Sequence, residues 1–87
     1  PSLQDHLIEQ LTELELLPLQ RPAVEYLIEH IDDRGFLSTS LTDLARLSEG
    51  EFELAELEDA LIFLQQMDPP GIGARDFKEC LLLQIPK

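Results

Sequence analysis

This sequence predicts an all-α fold, a small bundle of four to five short helices, and three observations carry that reading. Leucines and other apolar residues recur three and four positions apart over most of the 87 residues. Proline and glycine break that periodicity at short intervals, as in bundles whose helices are joined by short loops. Strand-like alternation is missing, apart from Phe36–Ser40, which reads as locally extended.

Helix one is expected from Leu3 to Leu16, with Ser2 as N-cap and Asp5 three residues on. Leu3, Leu7, Leu11 and Leu14 share one face, and Pro18 ends the run. Helix two is expected from near Pro22, which suits a first helical position. Ala23, Val24, Leu27, Ile28 and Ile31 form its stripe, and Gly35 reads as the left-handed residue just past its end. Phe36 and Leu37 then pack back as an anchor.

Helix three is short, Leu41 to Leu47, with Ser40 as N-cap and Leu41, Leu44, Ala45 and Leu47 facing inward. Helix four runs from Leu54 to Met67, with Leu54, Leu57, Leu61 and Leu64 as one seam and Ala60 and Phe63 beside it. Asp68, Pro69 and Pro70 stop it, because proline has a fixed φ and no backbone donor and disfavours helix in the residue before it. Gly71 and Gly73 supply a reversing turn. Ala74 to Ile85 restarts as helix five, with Asp76 in its first turn, packed on the helices before it. Residues 1–87 are read as one helical domain. The chain opens on proline without an initiator Met, so the expectation is a piece of something longer.

Charge narrows the function. Six basic and eighteen acidic residues give a net charge of −12. Nucleic-acid binders neutralise phosphates with clustered Lys and Arg, which this chain lacks, and it has no basic patch for anionic lipid. Acidity of this kind keeps a domain soluble, or steers it onto a basic patch of a partner. Helices three and four have the form of a helix-turn-helix, but Glu49, Glu51, Glu53, Glu56, Glu58 and Asp59 would meet DNA with like charge. The pair is therefore read as a non-DNA-binding one. One cysteine makes no internal disulfide and fits a reducing cytoplasm. No apolar run is long enough to span a membrane.

Sites of chemistry do not assemble. Gly71-Ile72-Gly73 follows a helix rather than a strand, and Asp76 stands where a dinucleotide loop needs its third glycine. Asp32 and Asp33 hint at calcium, but Arg34 and Leu37 occupy positions that an EF-hand loop gives to a ligand and a glycine. His6 and His30 have no partner at ligand spacing, and Cys80 reads as a buried thiol on the packed face of helix five. No nucleophile, base and orienter form a set, so the reading is a non-enzyme without metal or cofactor. Leu81, Leu82 and Leu83 are the exception to ordinary patterning. Successive helical residues point about 100° apart, so three in a row cannot share one face. Either more of the same chain or a partner covers the extra face.

The stretch DPPGIGARDFKECLLLQI, Asp68 to Ile85, resembles the signature of the core-binding region of the sigma-54 (RpoN) family. IDDRGFLSTSL, Ile31 to Leu41, and the opening SLQDHLIEQL, Ser2 to Leu11, are similar to other parts of that region. Asp68, Pro69, Pro70, Gly71, Gly73, Ala74, Arg75, Asp76, Glu79, Cys80 and Leu81 match the motif. Ile72, Phe77 and Lys78 vary it conservatively, as does Phe36 where tyrosine is frequent.

The resemblance implies an all-helical module, the first part of a region that docks on core RNA polymerase, including the β-subunit flap. It implies a bacterial, cytoplasmic transcription factor, monomeric, tethered to polymerase without touching nucleic acid through this segment. The rival reading is a stand-alone acidic helical adaptor. Arg75, Lys78, Glu79, Leu82, Leu83, Asp32, Asp33 and Arg34 are the candidate polymerase contacts, and Arg75 has an alternative role as an internal ion pair with Asp68 or Asp76. Asp68, Pro69, Pro70, Gly71, Gly73 and Gly35 are the structural turn residues.

Overall fold

The computed structural model describes residues 2–13, 20–67 and 71–85, which form five α-helices. The expected continuation of helix one through Leu14 to Leu16, its stop at Pro18, and the corner Asp68, Pro69 and Pro70 lie outside the described residues.

α1 spans Leu3–Glu13. Its start is tied reciprocally: Asp5 N–H donates to Ser2 Oγ at 3.1 Å, and Ser2 N–H donates to Asp5 Oδ2 at 3.2 Å. That satisfies two donors a helix start would otherwise leave open. Leu7 and Leu11 are buried and Leu3 packs at the core's margin.

α2 spans Gln20–Glu29, so it begins two residues before Pro22. Proline is tolerated there because first-turn N–H groups have no intrahelical acceptor. Ala23, Val24, Leu27 and Ile28 are buried. The helix closes by tightened bonds, His30 N–H to Leu27 O at 3.0 Å and Ile31 N–H to Ile28 O at 3.3 Å. Gln4 of α1 reaches this end, and its Nε2 donates to Ile28 O and Ile31 O at 3.2 Å each. Gly35 is thus six residues past the helix and does not cap it, which corrects the sequence expectation.

α3 spans Leu41–Leu47, and its N-cap Ser40 accepts from Asp43 N–H. α4 spans Leu54–Leu64, with Glu56 Oε1 accepting from Glu53 N–H at 3.0 Å. α4 stops three residues short of Met67, because its last bonds tighten into turns from Phe63 O to Gln66 and Leu64 O to Met67. Leu57, Leu61 and Leu64 form the buried seam, with Ala60 beside them. Leu47 and Leu54 are exposed instead of inward. Both flank the α3–α4 turn, whose apolar anchor in the core is Phe52 instead.

α5 spans Phe77–Leu83, shorter than the expected Ala74–Ile85. Asp76 is its N-cap rather than a first-turn residue, and its carboxylate accepts from Glu79 N–H at 2.7 Å. α2 packs on α4, with α1 laid on α2 and α3 on α4. Tyr26 of α2 stacks on Phe52 at 5.0 Å between centroids, and its hydroxyl donates to Leu44 O at 2.7 Å. Among the described residues α5 packs on no other helix and buries none of its own side chains. This overturns the expectation that the last helix packs on the earlier ones.

Candidate functional site

The two segments that carry the resemblance meet in space. Phe36 and Ala74 form an isolated parallel bridge. Leu37 N–H donates to Ala74 O at 2.8 Å, and Gly73 N–H to Gly35 O at 2.8 Å. Phe36 is thus locally extended, but as a single bridge and not a strand. Ile72 sits in the core, with its Cδ1 pressed against the space beside Gly35.

The loop leading into this bridge is built by one carboxylate. Asp32 Oδ1 accepts from Arg34 N–H and Phe36 N–H, both at 2.9 Å. Gly35 N–H closes the turn onto Asp32 O at 3.0 Å, and Gly35 holds φ 88°. Asp32 is therefore occupied by its own backbone, while Asp33 and Arg34 stand exposed at the turn. The Asp32 carboxylate is used by the turn itself.

On the other side of the bridge, Gly71 and Gly73 have φ 94° and 79°. A Cβ on Gly71 would stand 2.7 Å from Cys80 Sγ. Cys80 is half-buried above that glycine, with Gln84 Nε2 3.3 Å from its sulfur.

Glu79 is the hub that fastens α5. Its carboxylate accepts from Arg75 N–H at 2.9 Å, Arg75 Nη2 at 2.6 Å and Gln65 Nε2 at 3.0 Å. Gln65 also donates to Gly73 O at 3.2 Å. Arg75 pairs with Glu79, four residues on, and not with Asp76; Asp68 lies outside the described residues. The Arg75 hydrogen bonds hold the Glu79 carboxyl below its ordinary range, and Glu79 in turn raises the Arg75 guanidinium. Sequence reading places Glu79 among the contacts and misses this role. The i,i+4 spacing from Arg75 is its visible signal.

The outward side of α5 and the residue just past its end, Ile85, are apolar. Phe77, Leu81, Leu82 and Ile85 are 70%, 50%, 58% and 60% exposed, while Leu83 is half-buried. Lys78 is exposed beside them. The leucine run thus divides, with Leu81 and Leu82 facing out and Leu83 turned partly in.

The α3–α4 pair keeps its helix-turn-helix form, with left-handed Glu49 and Gly50 in the turn. Glu49, Glu51, Glu53, Glu56, Glu58 and Asp59 are all exposed. A phosphate backbone would meet like charge there. Among the described residues no three acidic, histidine or cysteine side chains cluster as a metal site, and no helix is long and apolar enough to cross a membrane.

Comparison with known proteins matches these features to one family. Residues 1–87 match the family described as "Sigma-54 factor, core binding domain". RNA polymerase sigma-54 factor 2 of Bradyrhizobium diazoefficiens is 42% identical over 85 residues, covering 97% of this chain and 15% of that protein. The RNA polymerase sigma-54 factor of Acidithiobacillus ferridurans is 42% identical over 88 residues, covering 97% and 17%. That of Bacillus subtilis is 35% identical over 86 residues, covering 99% and 19%. The chain thus spans less than a fifth of the length of these relatives. It belongs to the sigma-54 factor core-binding domain family.

Proposed function

We propose that this chain is a polymerase-docking segment of a bacterial sigma-54-type initiation factor, acting in the cytoplasm and without catalysis. It binds core RNA polymerase, including the β-subunit flap, and tethers the rest of the factor to it. The observation that carries this reading is the family match across the whole chain, Pro1 to Lys87.

The geometry supports a division of labour among the candidate contacts. Asp32, Arg75 and Glu79 are engaged in turns and pairs within the chain. Asp33, Arg34 and Lys78 are exposed, on the two segments joined at the Phe36–Ala74 bridge. We assign polar polymerase contact to these three. The net charge of −12 steers the segment toward basic surface and slows encounter as salt rises.

The test is titration of labelled segment with core RNA polymerase and separately with isolated β flap. Saturable binding, competed by a full-length factor of the family and weakened by Arg34→Glu or Lys78→Glu, is expected. A folded segment that does not bind the core overturns the docking reading. Binding to the core but not to the flap overturns the flap assignment alone.

A further inference from the structure

α4 is the second helix of the helix-turn-helix pair, the one that in a DNA reader enters the groove. Its buried seam is Leu57, Ala60, Leu61 and Leu64. On the opposite side Ala55, Glu58, Asp59 and Ile62 fall at i, i+3, i+4 and i+7, with Leu54 at the edge, and all five are exposed. Ile62 is 58% exposed, so this face offers apolar area as well as charge.

The acids along it divide into two kinds. Glu53 and Glu56 form the capping box that starts α4, at the end where its dipole favours negative charge. Glu58 and Asp59 stand in mid-helix and make no hydrogen bond or ion pair among the described residues. Residues 47–67 hold six acids and no base. Arg46, the nearest cation along the chain, is already paired with Asp43 at 2.6 Å. Two unpaired carboxylates beside an exposed isoleucine contribute nothing to the fold.

We infer, resting on the docking reading above, that this face of α4 seats a basic amphipathic helix of core RNA polymerase. Its Lys or Arg side chains pair with Glu58 and Asp59, and its apolar residues cover Ile62 and Leu54. The contact is separate from those at Asp33, Arg34 and Lys78. A nucleic acid or an anionic lipid would bring like charge to Glu58 and Asp59, and so would a second copy of a chain at −12. A basic surface without apolar side chains would leave Ile62 in water. Size points to polymerase over a separate small partner. Five side chains fall well short of the ~800 Å² per partner of a stable interface, and they suffice only where other contacts with the same partner share the docking.

The test measures binding of the full-length factor to core polymerase. Ile62→Ser should weaken it about 10-fold, as for an apolar anchor desolvated in an interface, while Ile8→Ser on α1 leaves it unchanged. Glu58→Lys with Asp59→Lys should slow association about 10-fold at low salt and flatten its salt dependence. Unchanged unfolding midpoints show that the variants fold, and Glu58→Gln with Asp59→Asn gives a second reading of the salt slope. A benzophenone side chain in place of Ala55 should photo-attach to a polymerase helix that carries Lys or Arg beside apolar residues. Full affinity in the Ile62 and the Glu58/Asp59 variants, with binding still weakened by Arg34→Glu or Lys78→Glu, overturns this face and leaves docking intact. Full affinity in all of them overturns the docking reading too. Loss in only one of the Ile62 and Glu58/Asp59 variants, or attachment to DNA, to the factor itself or to a polymerase surface without cations, overturns the basic amphipathic helix as occupant.

Discussion

Gly73 donates its amide hydrogen to the carbonyl of Gly35 at 2.8 Å, and both residues hold positive φ, 79° and 88°. The bond joins the α2–α3 loop to the segment that leads into α5. A Cβ on Gly35 would lie 2.7 Å from Ile72 Cδ1, and Ile72 is buried. Gly35→Ala should therefore add a clash to backbone strain and cost about 1–3 kcal/mol. The denaturant midpoint of unfolding checks it, and an unchanged midpoint would remove the bridge as a stabilising contact.

Glu79→Gln should free α5 without unfolding the core. Because Arg75 holds the folded-state pKa of Glu79 below its ordinary 4.5, the carboxylate's contribution is fully present above that value. It fades as pH falls through the depressed folded value. The pair is partly exposed and worth under about 1 kcal/mol. Hydrogen exchange at residues 77–83 should quicken in the variant at neutral pH, and the difference from the parent should shrink in acid.

Tyr26→Phe removes a hydrogen bond from α2 to the α3 carbonyl of Leu44 but keeps the ring stacked on Phe52. The expected loss is about 0.5–1.5 kcal/mol. Burial, with Glu51 and Glu29 nearby, pushes the Tyr26 hydroxyl up from 10.0. The stability tied to that proton is complete below pH 10.0 and is lost as pH rises through the folded value. A Tyr26→Phe melting curve indistinguishable from the parent at pH 7 would deny the bond any role.

Leu64→Ala and Leu54→Ala separate the true seam from the apparent one. Leu64 is fully buried and touches the space over Gly73, while Leu54 is 41% exposed. The first should cost about 2–5 kcal/mol and the second under about 0.5 kcal/mol. Similar losses in both would mean that the start of α4 is covered.

Much of this fold is legible in local pattern. Ser40 with Asp43 marks α3 because an N-cap acts over three residues, and Leu57, Leu61 and Leu64 report their face through spacing alone. Periodicity names a face but not how far the core extends along it, so it points Leu47 and Leu54 inward where the structure exposes them. Gly35 reads locally as a helix cap because its partner, Gly73, lies far along the chain and no local rule connects them. Of the candidate site, the residue types are visible in the sequence, but their employment is not. Asp32 and Glu79 look like free acids in a sequence and prove to be turn-builder and fastener. The outward stripe of α5 is foreshadowed by three consecutive leucines, which no single buried face accommodates.

The bridge between Phe36 and Ala74 also sets an order of assembly. The main packing, α2 on α4, is complete once residue 64 has been made, whereas the bridge needs residues 73 and 74. Chains emerge N-terminus first and domains form as they become available. The four-helix body can thus form on the ribosome before α5 does, and α5 joins it only afterwards. Pulse-labelled exchange during refolding should show amides of α2 and α4 protected before those of residues 77–83. The last helix is in that sense a latecomer, and Ile72, just ahead of it, completes the core after the four helices have met.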